Sequence, residues 1–201
     1  MQFLPKHLTT YLVTILLSVT NLAHSYDATP FIGPLDPWQV SSLQVTTTAT
    51  TSDATTISLA IRNPNTVSAG PAPFAAGGGY LPFNPSAANC SLAGSSEACI
   101  ETTEFSYGVW TVDVAPGFDP RSFDAKFSLD YNVTRWNSVW YKVYKGTGHF
   151  EVGINLDEAV CEDGDEKKNT CVYGLGAAQT PVLVTPTMTE CKGTCSLPSS
   201  A

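Results

Sequence analysis

Phe127-Ser128-Leu129-Asp130-Tyr131-Asn132-Val133-Thr134 alternates an apolar or aromatic residue with a polar one at every step. A period of two puts Phe127, Leu129, Tyr131 and Val133 on one face of an extended strand and leaves the polar set to solvent. Phe150, Val152, Ile154 and Leu156 repeat the pattern against Glu151, Gly153, Asn155 and Asp157, and Thr56-Ile57-Ser58-Leu59-Ala60-Ile61 shows it again. Trp38–Thr47, Tyr107–Val114, Val139–Lys145 and Gln179–Thr187 are further strand candidates, because Val, Thr, Tyr and Trp suit a pleated surface. Lys145-Gly146-Thr147-Gly148 reads as a tight turn joining two strands into a hairpin. Outside the N-terminal leader no segment sustains helical spacing. The expected fold is therefore all-β: a single antiparallel β-barrel or sandwich with local disulfides and one long Pro/Gly/Ala-rich loop.

Two segments interrupt the strands. Thr46 to Thr56 is almost wholly Thr, Ser, Ala and Asp, and is expected to link the first two strands as a hairpin. Asn63 to Ala98 is rich in Pro, Gly, Ala and Ser and contains Gly77-Gly78-Gly79. That composition predicts a long surface loop over 63–98, partly disordered, outside the core. Its glycines are not followed by the Lys-Ser/Thr of a phosphate-binding loop.

The leader places the protein. A short basic region ending at Lys6 precedes an apolar run from Leu8 to Val19, and Ala23-His24-Ser25 offers small residues at −3 and −1 of a cleavage site. This is the layout of a secretory signal over 1–25, with an apolar run too short to span a bilayer comfortably. The expected mature chain begins at Tyr26, with an N-terminal extension over 26–37, a β-domain over 38–187 and a C-terminal tail over 188–201. Loss of Lys6 moves the formal charge from −8 to −9. An acidic surface argues against nucleic acid and anionic membranes as partners. The polar end Ser196–Ala201 lacks the hydrophobic tail of a lipid-anchor signal. Secretion to the extracellular space follows as the expectation.

All six cysteines, Cys90, Cys99, Cys161, Cys171, Cys191 and Cys195, fall in the mature part. In an oxidising compartment they read as a disulfide framework, and their three close couples favour local pairing among the fifteen connectivities available. Closing Cys90–Cys99 or Cys161–Cys171 is worth about 2.7 kcal/mol in the chain-entropy model, and Cys191–Cys195 about 2. With every thiol used locally, no disulfide-linked dimer is expected. Zinc is the competing reading, weakened by oxidation and by a single mature histidine, His149. Asn89-Cys90-Ser91 and Asn132-Val133-Thr134 are N-glycosylation sequons, whereas the proline excludes Asn84-Pro85-Ser86.

Catalytic chemistry finds little support. His149 is read as a solvent-exposed residue at the start of a strand, beside a glycine turn, with no Gly-x-Ser-x-Gly in the chain. The acids show no apolar setting that would raise a carboxyl pKa for glycoside hydrolysis. Glu162-Asp163-Gly164-Asp165-Glu166 lacks the ligand spacing of a calcium loop and reads as a solvated loop tip. No catalytic, metal or cofactor-binding residue is assigned, and no cofactor is expected. Trp110, Trp136 and Trp140 with Tyr107, Tyr141 and Tyr144 are either core residues or a stacking platform for sugars or planar aromatics.

In its motifs the chain resembles the fungal family of the Alternaria major allergen, small secreted β-barrel proteins. Trp38-Gln39-Val40-Ser41-Ser42-Leu43 is similar to the family's first strand and Ile57–Asn63 to its second. One cysteine couple precedes Phe127–Tyr131, and Cys161 and Cys171 precede Pro181-Val182-Leu183-Val184. The likeness covers most of 38–187. It implies a compact barrel without catalytic residues, of a kind found among allergens and among elicitors or effectors acting on plant tissue. Two departures stand out. Tyr26–Pro37 lack the cysteine that links the dimer of the type member, and Cys191 and Cys195 have no obvious counterpart. The function expected is thus a non-enzymatic interaction protein binding a host or cell-wall component. The alternative is a polysaccharide-acting hydrolase or a wall-associated carbohydrate-binding module.

Overall fold

The computed structural model describes residues 34–48, 55–74, 77–93, 96–162, 170–193 and 195. The leader, the start at Tyr26, most of the acidic tip after Glu162 and the end Ser196–Ala201 lie outside the described residues. Strands run in the order β1 (Trp38–Thr48), β2 (Thr56–Asn63), β3 (Val67–Pro71), β4 (Tyr80–Phe83), β5 (Ser86–Ala93), β6 (Ser96–Glu101) and β7 (Gly108–Val114). They continue with β8 (Ser122–Arg135), β9 (Ser138–Glu151), β10 (Val160–Glu162), β11 (Thr170–Gly174), β12 (Val182–Val184) and β13 (Thr187–Lys192).

The period-two stretch lies in β8, whose fourteen residues alternate buried and exposed almost without a break. It occupies the centre of a four-stranded antiparallel sheet, β13-β9-β8-β7, and pairs along its full length with β9. The other main sheet has seven strands in the order β10-β11-β1-β2-β5-β6, with β12 and β11 sharing the second edge of β1. A β-bulge between Val40 and Ser42 resets the phase of β1. Trp38 and Val40 before it, and Leu43 and Val45 after it, can therefore all be buried.

The inner rows of both sheets form one core. Trp38 of the larger sheet meets Trp110 of the smaller edge-to-face, with ring centroids 4.8 Å apart. Two facing sheets around a shared apolar layer make a sandwich.

The expected closed barrel does not form. Among the described residues no ladder joins the two main sheets. Where β6 and β7 run past each other, the Glu97 carboxylate rather than a β6 carbonyl accepts the Val112 N–H. A side chain thus occupies the seam that a closing ladder would need. On the other side the chain leaves the larger sheet at Val184 and enters the smaller at Thr187, so the corner at Thr185-Pro186 interrupts pairing.

Other expectations also need correction. The stretch 63–98 is not a surface loop. It builds β3, β4, β5 and the start of β6, and buries Val67, Ala69, Phe83, Ala88 and Cys90. Small residues pack there because β3 crosses the Trp140 indole, which a Cβ on Gly70 would strike. Lys145–Gly148 is not a turn but lies within β9, opposite Ala125–Ser128. Its glycines reflect close approach: a Cβ on Gly146 would stand 2.7 Å from Val184 Cγ1 and 3.1 Å from the Thr185 carbonyl oxygen. β9 ends at Glu151, so Val152–Leu156 turn instead of continuing the alternation, held by Asn155 and Leu156 N–H bonds to the Glu151 carbonyl. Gln179–Thr187 divides into a 3₁₀ turn at Ala177–Gln179 and parts of β12 and β13. The antiparallel pairing that the hairpin expected across Thr46–Thr56 requires is present, with those two residues opposed, while its link over 49–54 lies outside the described residues.

Candidate functional site

Among the described residues, four other than glycine have left-handed backbone: Phe105 (φ 58°), Tyr107 (φ 58°), Trp136 (φ 48°) and Asn137 (φ 58°). Such conformations are costly for bulky side chains and concentrate where function holds them in place. These four occupy only two connections, the β6–β7 link and the β8–β9 turn. Arg135 pairs with Ser138 across the latter, so Trp136 and Asn137 are the central residues of a two-residue hairpin loop. Positive φ at both positions is what the strand twist asks of such a loop.

The two connections meet. Arg135 Nη2 donates to the Tyr107 hydroxyl at 2.6 Å, and its guanidinium lies over the Tyr107 ring, 5.6 Å from the centroid. The Asn132 N–H donates to the Tyr107 carbonyl at 3.2 Å. Trp136 sits edge-to-face with buried Trp140, centroids 6.0 Å apart. Phe105 remains 75% exposed and Trp136 46% exposed. One end of the sandwich therefore presents Phe105, Tyr107, Arg135 and Trp136 as an aromatic and cationic surface.

A buried polar chain stiffens this end from beneath. The Tyr131 hydroxyl donates to the Asn84 carbonyl at 3.0 Å and accepts from Asn63 Nδ2 at 2.8 Å. Burial pushes the Tyr131 phenol well above its usual pKa, so it stays protonated and able to donate. Asn84 Nδ2 in turn donates to the Phe105 carbonyl.

Of the six aromatics picked out in the sequence, Trp110, Trp140 and Tyr144 are core residues, Tyr141 is half-buried on β9, and at the surface end Tyr107 is half-buried and Trp136 exposed. Phe105 was missed, because an isolated Phe after a Thr-rich stretch carries no periodic signal. Asn89 and Asn132 are both exposed on the outward side of their strands. The three cysteine couples are disulfides: Cys90–Cys99, Cys161–Cys171 and Cys191–Cys195.

His149 is exposed as expected but lies within β9, not at a strand start. Its Nδ1 meets Asp124 Oδ1 at 2.8 Å and its Nε2 meets Glu151 Oε2 at 3.0 Å. The hydrogen bonds to Glu151 and then Asp124 raise its pKa. Carboxylates on both nitrogens suit a surface imidazolium and leave neither nitrogen to serve a nucleophile. Among the described residues no group of three or more His, Cys, Asp or Glu is arranged to hold a metal. No helix among them is long and apolar enough to cross a membrane.

Comparison with protein-family models, with curated proteins and with solved structures yields no match.

Proposed function

We propose that this chain is a secreted, non-enzymatic interaction protein of the effector or elicitor type, which binds a host or cell-wall component through Phe105, Tyr107, Arg135 and Trp136. The observation that carries this reading is the confinement of every left-handed non-glycine residue among the described ones to this end. Left-handed backbone at an exposed Trp and Phe makes sense as presentation of a rigid contact surface. Indole and phenol faces beside a guanidinium suit the ring face of a glycan or an aromatic or acidic side chain of a protein. The secretory leader read in the sequence supplies the compartment, and the sandwich supplies the rigid base.

The test is retention on cell-wall polysaccharide and on immobilised plant apoplastic protein. Trp136→Ala and Arg135→Ala should each weaken retention at least tenfold. Ile100→Ala, on an exposed position of the other sheet, should not change it. Equal retention by all three variants would remove this surface from consideration, and turnover of the polysaccharide would favour the hydrolase alternative.

A further inference from the structure

The three disulfides are not equivalent. Cys90–Cys99 and Cys161–Cys171 each join directly opposed residues of paired strands, with Cα atoms 4.0 and 4.1 Å apart. The ladders hold those partners together even without the bond. Cys191–Cys195 instead ties Cys191, near the end of β13, to Cys195 just past that strand, and Cys195 is exposed while Cys191 is partly covered. Beneath Cys191 lies Lys142, opposite it in the β9–β13 register and only 3% exposed. Its Nζ donates to Cys191 Sγ at 3.3 Å.

We infer that Cys191–Cys195 is a thiol-exchange site, at which a low-molecular-weight thiol is taken up on Cys195 while Cys191 leaves toward the Lys142 amine. An incoming thiolate attacks exposed Cys195 Sγ, a new S–S bond forms there, and the old S–S electron pair departs on Cys191 as a thiolate. The step is an exchange with no net redox change. A second thiol of the same class can then release Cys195 as a thiol and leave as its own disulfide. Exchange is faster when the leaving sulfur is stabilised as an anion, and a lysine N–H on that sulfur supplies this. Burial lowers the pKa of Lys142, and a thiolate formed beside it would favour the charged form of its amine. Neither cross-strand bridge has a comparable cationic donor in hydrogen-bond contact among the described residues.

Opening the loop changes what covers the core edge. Gly193, with φ 125°, backs directly onto the Ala69 carbonyl and the Trp140 indole. The bond to Cys195 closes the loop around Gly193, so exchange loosens the contact over Trp140.

The experiment treats the non-reduced protein with reduced glutathione and maps adducts by peptide mass spectrometry, with Trp fluorescence alongside. A single adduct on Cys195, with Cys90, Cys99, Cys161 and Cys171 unmodified, is the expected result. Lys142→Met should slow the exchange roughly tenfold and Lys142→Arg should largely preserve it. Adducts first on either cross-strand bridge, an adduct mainly on Cys191, or an unchanged rate in Lys142→Met would overturn the inference. Should Lys142→Met fail to fold, the adduct position in the wild type and the rate in Lys142→Arg decide the matter.

Discussion

The Trp110 indole Nε1 donates to Ser86 Oγ at 2.8 Å, a buried hydrogen bond that ties the four-stranded sheet to the larger one. Ser86 passes the link on to the Glu101 carboxylate at 3.0 Å, where Thr103 and the Ala87 N–H also donate. Ser86→Ala should therefore cost about 1–3 kcal/mol, because it leaves the indole N–H buried without an acceptor. Urea unfolding measures this, and a loss below 0.5 kcal/mol would mean that water replaces the hydroxyl. Thr111→Ala, exposed on β7 beside Trp110, serves as the control.

Gly146 tests the close approach that takes the place of a turn. Gly146→Ala would push a methyl onto Val184 Cγ1 and the Thr185 carbonyl at the corner where the chain changes sheets. The expected loss is about 1–3 kcal/mol, the range for overpacking. Thr147→Ala, exposed on the same strand, should stay within about 0.5 kcal/mol.

These glycines mark where the sequence stops being readable. The alternation in β8 was legible because one face of a half-buried strand must be apolar along its length. Lys145–Gly148 resembles a turn because flexibility and the need for space leave the same residue behind. The true turn at Trp136-Asn137 carries no glycine and so gave no signal. In β3 to β5 burial falls largely on small residues such as Ala69, Ala88 and Ser86, which composition alone assigns to a loop. The disulfide couples were legible from spacing. The aromatic end was only half legible, since sequence shows which residues are aromatic but not which of them the fold leaves outside.

His149 gives a pH-dependent signature. Its folded pKa is raised by Glu151 and Asp124, so its contribution to stability is fully present below the unfolded value of about 6.5 and is lost as pH rises through the folded value. Imidazole NMR titration should place His149 above that reference. Asp124→Asn and Glu151→Gln should each bring it down, Glu151→Gln by more. Titration at or below the reference in the wild type would show that these carboxylates do not hold the proton.

The disulfides set a prediction about assembly. Every described cysteine is bonded within the chain, so denaturing gels run without reductant should show the monomer band. A reduction-sensitive band at twice that mass would mean that one couple exchanges between chains. Cys161→Ala should lower stability by about 2–5 kcal/mol, the usual scale for a native bridge.

The β8–β9 turn separates stability from binding. A two-residue loop with positive φ at both centres prefers Asn followed by Gly, and here Trp136 and Asn137 occupy those places. Asn137→Gly removes a side chain from a left-handed position and should hold stability level or raise it by up to about 1 kcal/mol, with binding unchanged. Trp136→Asn also relieves a left-handed residue, but it forfeits the edge-to-face contact with Trp140. That contact is worth about 0.5–1.5 kcal/mol, so the two effects nearly offset and stability should move by no more than about 1 kcal/mol. Binding to the wall or host component should nevertheless fall at least tenfold, because the exposed indole is gone. Thermal melts and the retention assay on the same samples make the comparison. A Trp136→Asn protein that is as stable as the wild type and still binds as well would show that the strained indole has no part in recognition, and would transfer the search to Phe105 and Tyr107.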